Sequence, residues 1–157
     1  MTGNVINKYN FQYCQKIVVF SKDELSVLLC KRKGEADFDE IFTFIGGKME
    51  ITDSSIIDGL KREKNEEVGE DFRIGIFPTF SINLSFVKKD GSHMILPHYY
   101  AIHEKGEIQL NEEYSEFQWV PLAEVAAFEP KVFSISEVIN KLAILREIIY
   151  KTEIIEI

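Results

Sequence analysis

Four carboxylates in the middle of the chain have the types and spacing to do chemistry together. Glu63, Glu66, Glu67 and Glu70 stand at i, i+3, i+4 and i+7, which places them on one face of a helix with neighbouring Cβ atoms roughly 5–6 Å apart. Unpaired carboxylates at that separation repel and raise each other's pKa. A divalent cation relieves the repulsion, and hard oxygen ligands suit Mg²⁺ or Mn²⁺. A cation held there would bridge phosphate oxygens and water, which is the chemistry of substitution at phosphorus. Acids at this spacing also serve simply as a solvated helix face, so the spacing alone leaves both readings open.

Charge bears on the choice. The 157 residues hold 18 Lys+Arg against 26 Asp+Glu, a net charge of −8. From Gly46 to Asp71 there are eight acids and four bases, so this stretch alone carries −4, half of the whole excess. Such a chain has no basic face with which to neutralise duplex nucleic acid. A metal can supply the positive charge that phosphate binding requires.

The elements that must position these groups follow from the pattern. The size is that of one domain spanning 1–157, and no repeat or linker interrupts it. Hydrophobic residues make up 45% and Phe occurs 12 times, enough for a substantial core. No stretch approaches the roughly 20 apolar residues of a membrane span, and the first ten residues lack a secretory segment. Cys14 and Cys30 lie in apolar runs and read as buried reduced thiols, consistent with a cytoplasmic protein.

Residues 14–20 and 25–31 read as a hairpin or adjacent strands, and 41–45 as another, closed by Gly46-Gly47. A helix begins at Ser54 or Ser55, carries Ile56, Leu60 and Val68 on its apolar stripe, and stops at Gly69. Phe80, Ile82, Leu84 and Phe86 alternate with Ser81, Asn83 and Ser85 in a half-buried strand. Asp90-Gly91 turns it into a return strand over 93–102, where Pro97 marks an edge or irregularity. A short strand follows at 116–120. The last helix opens on a capping box, Ser134 to Glu137, and buries Val138, Leu142, Leu145 and Ile149. The apolar tail after it, Ile154, Ile155 and Ile157, is expected to pack on a neighbour or a second subunit. The order of strands and helices predicts an α+β fold, an α/β/α sandwich with a mixed β-sheet.

The stretch from Gly46 to Gly69 resembles the Nudix box. Arg62-Glu63, Glu66-Glu67 and Gly69 fall into its register, Ser55 to Lys61 supply the seven residues before the Arg, and Gly46-Gly47-Lys48-Met49-Glu50 matches its strand-to-loop opening. Glu116 to Val125 resembles the family's late strand and turn, so the likeness covers essentially the whole chain. There are departures. One residue is inserted between Gly47 and the helix, so the first box Glu falls at Asp53 or Ser54. Lys64 and Glu70 stand where the pattern has apolar residues.

The resemblance to the Nudix (MutT-like) hydrolases implies the Nudix fold and the following roles. Glu63 and Glu67 would be the principal metal ligands, Glu66 a further one, and the Gly47 carbonyl would complete the site. Arg62 would hold the carboxylates in place with a fork geometry that Lys cannot copy. Glu67, Glu66 and Arg62 form the catalytic set, and the cofactor would be Mg²⁺, with Mn²⁺ as the other candidate. The general base varies among relatives: a box Glu, or Glu104, Glu112 or Glu113 from outside it. Candidates for substrate contact are Lys48, Glu104, Glu113 and Tyr99. His98 is a further residue that could face a ligand, and Phe80, Tyr99, Tyr100 and Trp119 could stack on a base. His93, His98 and His103 recur every five residues, so in one strand they alternate faces and do not converge as a metal triad.

The expected activity is hydrolysis of a diphosphate linkage in a nucleoside diphosphate joined to another moiety, such as a nucleoside triphosphate or nucleotide sugar. The alternative is a Nudix-fold domain, catalytically weak, that binds a nucleotide or regulates. The expected partner is a small nucleotide-type molecule, with no duplex nucleic acid and no membrane. A homodimer is the common assembly among relatives.

Overall fold

A computed structural model describes residues 8–35 and 37–157. Eight strands and two helices alternate along it: β1 (Phe11–Phe20), β2 (Ser26–Arg32), β3 (Phe42–Thr43), β4 (Ile45–Lys48), α1 (Ile56–Val68), β5 (Arg73–Val87), β6 (His93–Lys105), β7 (Tyr114–Pro121), α2 (Ile135–Ile149) and β8 (Ile155–Glu156). The strands form one mixed sheet in the order β3-β2-β1-β6-β5-β8, with β4 paired to β1 and β7 to β2. Only β1 and β6 run parallel among the paired strands.

Alternation along each strand sends one set of apolar residues to each face. Val18, Phe20 and Tyr100 meet Val138, Leu142 and Ile149 of α2. Ile17, Val19 and Ala101 meet Leu60 and Val68 of α1. The sheet is therefore covered by one helix on each face, the α/β/α arrangement expected for a Nudix fold.

Local departures from the expectations have physical causes. β1 and β2 do not form a long hairpin: their register holds only Phe20 opposite Val27, because β1 spends its length on β4 and β6 while β2 pairs with β7. The strand expected over 41–45 is two pieces, and Gly46 and Gly47 lie inside β4 rather than after it. Pro97 is not at an edge. It lies in a strand paired on both sides, opposite Asn83 of β5, at a point the β1–β6 ladder skips between Ile95 and His98. α2 starts at the expected place, but the Ser134 side chain makes no cap, since Ser134 itself adopts helical angles (φ −82°, ψ −8°). The apolar tail packs on its own sheet: β8 pairs with Gly75 and Ile76, and Ile157 exchanges backbone hydrogen bonds with Ile74. No helix among the described residues is long and apolar enough to cross a membrane.

Candidate active site

The helix that carries the box starts where its sequence says it should. Ser55 is the N-cap, in extended geometry, and its hydroxyl accepts from the Asp58 N–H at 3.1 Å. Gly69 ends the helix at φ +94°, a left-handed value that other residues reach only with strain. Lys64, at a position where an apolar residue was expected, is fully buried. Its stem fills the apolar slot while its ammonium donates to the Gly69 carbonyl (3.2 Å) and the Phe72 carbonyl (2.8 Å). Burial pushes its pKa down to about 8.

β4 brings two glycines against this helix. At Gly46 the backbone takes φ +131°, and a Cβ there would lie 2.0 Å from the Gln15 carbonyl oxygen. A Cβ on Gly47 would lie 2.3 Å from Glu63 Oε2. Bare α-carbons at these two positions are what allow strand, helix and carboxylates to share the space.

Arg62 organises the exposed side of the site. Its Nε and Nη2 donate to Asp53 Oδ1 and Oδ2 at 2.8 and 2.9 Å, Nη2 also to the Lys48 carbonyl at 3.1 Å, and Nη1 to Glu63 at 2.8 Å and Glu66 at 3.4 Å. This bidentate fork settles the alternative left by the insertion: Asp53, and not Ser54, pairs with the box arginine. Asp53 also accepts from the Glu50 N–H at 2.8 Å, and Arg62 holds its carboxyl down to about 2.

Glu67 is in a different environment. It is 1% exposed. The Gly46 N–H donates to its Oε1 at 2.7 Å, and the Tyr114 hydroxyl lies 3.1 and 3.0 Å from its two oxygens. Burial pushes its pKa up to about 8, against the pull of Lys16 and the Gly46 N–H, with Glu113 and Glu63 adding repulsion. Burial likewise raises Glu63, with Arg62 opposing and Glu66 and Glu113 reinforcing. Among the described residues no three His, Cys, Asp or Glu side chains are gathered as a ready metal cluster. The cause is visible: Arg62 draws Glu63 and Glu66 to itself, while Glu67 turns to Gly46 and Tyr114.

The candidates from outside the box separate. Glu113 is close enough that its charge raises both Glu63 and Glu67. Glu104, by contrast, lies against Gly75 and Ile154, where β5 pairs with β8. Tyr99 has little surface to offer a ligand. It is buried on the α1 face, with its hydroxyl 3.4 Å from that of Tyr13. Lys48 is exposed beside the box. The three histidines part as expected: His93 meets the Phe11 ring, His103 stacks on Phe72, and His98 faces the other side of the sheet.

On that side, against α2, lies a cavity of about 240 Å³ lined by Phe44, Leu84, Phe86, His98 and Phe133, among others. Its surface is mostly apolar, and His98 is kept uncharged there. Burial pushes the imidazole down to about 4, against the Leu96 carbonyl bonded to Nδ1 at 2.9 Å. Sequence reasoning chose other aromatics for stacking. Tyr100 is in the core and Trp119 packs toward Phe72 and His103, whereas Phe44, Phe86 and Phe133 line the cavity. Tyr114 was missed as well, and nothing in its local sequence marks it as the partner of Glu67.

A family model for the NUDIX domain matches residues 14–142. The chain belongs to the NUDIX family. Solved structures of the same fold include a MutT protein from Methanosarcina mazei Go1 (18% identity, 85% of this chain and 94% of that one, TM-score 0.69). An Ap4A hydrolase from C. elegans shares 15% identity over 87% of this chain and 98% of that one, with a TM-score of 0.70. The NUDIX domain of Shewanella oneidensis NrtR, solved with ADP ribose, shares 20% identity over 89% and 94%, with a TM-score of 0.65. At such identities the likeness shows the fold alone. No curated protein sequence matches the chain.

Proposed function

We propose that this Nudix protein hydrolyses, with Mg²⁺ or Mn²⁺, a diphosphate linkage in a nucleoside diphosphate joined to another moiety, as a single-domain cytoplasmic enzyme. The observation that carries the reading is the pairing of Glu63 and Glu67 at the glycines of β4 with an apolar cavity on the α2 face of the same sheet. The carboxylates suit the cation in kind: all donors are hard oxygens, and burial and mutual repulsion raise two of the carboxyl pKa values, a cost that a divalent cation lifts. Glu63, Glu66, Glu67 and the Gly47 carbonyl would hold it, and when bound it supplies charge neutralisation at phosphorus.

The chain's own residues do the rest. The cavity takes the non-phosphate moiety against aromatic surface. Arg62 keeps Glu63 and the 48–53 loop in register through Asp53. Glu113, exposed and with a charge that reaches both carboxylates, would accept the proton of the attacking water. Homodimerisation is compatible with this reading.

The test is phosphate and pyrophosphate release with Mg²⁺ across ordinary and oxidised nucleoside triphosphates, ADP-ribose, nucleotide sugars, dinucleoside polyphosphates and coenzyme A. Turnover of one class, lost on removing the metal, bears out the reading and names the substrate. Folded protein that binds a nucleotide of the panel but turns none over would replace it with a binding or regulatory role.

A further inference from the structure

A buried cation stands between the two halves of this site. Lys16 of β1 lies opposite Gly46 of β4 on one side and opposite His98 of β6 on the other. One neighbour is therefore bonded to Glu67 and the other lines the cavity. Its side chain shares a face with Val18 and Phe20 and points with them toward α2. Lys16 is 7% exposed, and its one hydrogen bond is long, 3.5 Å from Nζ to the Phe44 carbonyl. Among the described residues no carboxylate lies within salt-bridge distance of it.

The charge of buried Glu67 reaches Lys16 without contact, and an ammonium buried with no anion in contact with it is costly. Lys64, just as buried, meets its need with two carbonyls at 3.2 and 2.8 Å. Other cations near the box are engaged: Arg62 with Asp53 and Glu63, Arg32 with Glu35 at 2.9 Å, Lys31 with Glu40 and Glu116. Lys48 is exposed and would have to be ordered at each binding event, whereas packing has already ordered Lys16.

We propose that Lys16 binds a non-bridging phosphate oxygen of the substrate where the diphosphate passes from the cavity toward Glu63 and Glu67. This deepens the hydrolase reading and rests on it for the substrate, though not for the anion. An ammonium there is complementary to a phosphate and indifferent to a neutral nucleoside. It ties the moiety in the cavity to the phosphorus that faces the carboxylates, so it acts on binding and orientation rather than on proton transfer.

The experiment compares wild type, Lys16→Met and Lys16→Arg. Inorganic pyrophosphate is titrated calorimetrically in EDTA, and KM and kcat are measured with Mg²⁺ on whichever panel nucleotide is turned over. Lys16→Met is expected to weaken pyrophosphate about 10- to 100-fold and to raise KM by a similar factor, with kcat within about threefold. Lys16→Arg should restore much of both. Met matches the volume of the Lys stem and removes a buried charge, so the thermal midpoint should hold or rise. Lys16→Gln serves as the second variant if Met does not fold. Equal pyrophosphate binding by wild type and Lys16→Met, or none by wild type, overturns the proposal. Lys16-dependent binding without turnover of any panel nucleotide would sink the hydrolase reading and leave the anion site standing.

Discussion

The two faces of the sheet solve different problems. On the α1 face, polar groups meet polar groups at short range: Arg62 is bonded to Asp53, Glu63 and the Lys48 carbonyl, and Glu67 to Gly46 and Tyr114. On the α2 face, the cavity is walled by Phe44, Leu84, Phe86 and Phe133, with a histidine held neutral at its side. The first face fixes atoms to within hydrogen-bond tolerances, as a reaction at phosphorus requires. The second offers area, which holds a flat apolar group firmly without dictating its identity. In the proposed function chemistry and recognition are thereby separated, and each can be broken without the other.

The sharpest break is Glu67→Gln. Gln keeps the shape, and its carboxamide can still meet the Gly46 N–H, but it removes the charge a divalent cation would take. Turnover should fall about a thousandfold while the circular dichroism spectrum and thermal midpoint persist. A second arm is independent of substrate: saturating Mg²⁺ should raise the melting temperature of wild type and not of the variant. Unchanged turnover in the variant would remove Glu67 from the reaction.

His98 sharpens the other face. Its folded pKa of about 4 lies below its ordinary value of 6.5. The unfolded chain therefore binds this proton more readily, and His98 lends stability above pH 6.5 that is lost as pH falls through 4. The shift corresponds to about 3 kcal/mol at most. In urea melts, His98→Asn should flatten the fall in stability between pH 6.5 and 4 relative to wild type. Parallel pH profiles for the two proteins would mean that the imidazole titrates freely and that the cavity side is wetter than its lining implies.

Arg62→Lys tests whether the α1 face depends on fork geometry or merely on charge. A lysine cannot span both Asp53 oxygens and still reach Glu63. We expect turnover to fall about 10- to 100-fold, with KM for the nucleotide little changed because the cavity is untouched. If KM rose instead while kcat held, the two faces would be coupled through the 48–53 loop.

These faces also differ in how far they could be read from sequence. The α1 face is local: Arg62, Glu63, Glu66 and Glu67 are within six residues, and their helix announces itself with Ser55 and Gly69. Spacing alone placed them together, and only the insertion left a choice, which the Asp53 fork decides. Tyr114 was out of reach because it comes from a strand 47 positions away. The cavity is the opposite case. Phe44, Phe86 and Phe133 lie on three separate segments, and none differs in local pattern from an ordinary core aromatic. Trp119 and Tyr100 looked equally suitable and proved to be packing. Strand alternation predicts which face a residue takes but not whether the space above it is filled. That depends on how α2 and the loop before it settle.

Phe133 gives the smallest and most discriminating effect. It stands at the cavity with 83% of its surface exposed, so the fold gains almost nothing from it. On the proposed function, this exposed aromatic beside the apolar hollow covers the bound group. Stacking on a flat ring is worth about 1 kcal/mol or somewhat more. Phe133→Ala should therefore raise KM about fivefold to tenfold, with kcat and the thermal midpoint unmoved. Phe133→Leu should recover only part of the loss if the contact is a stack, and nearly all of it if the contact is simple apolar cover. An unchanged KM in both variants would place the bound group deeper, against Phe44 and His98, and assign recognition to the buried wall rather than to the rim.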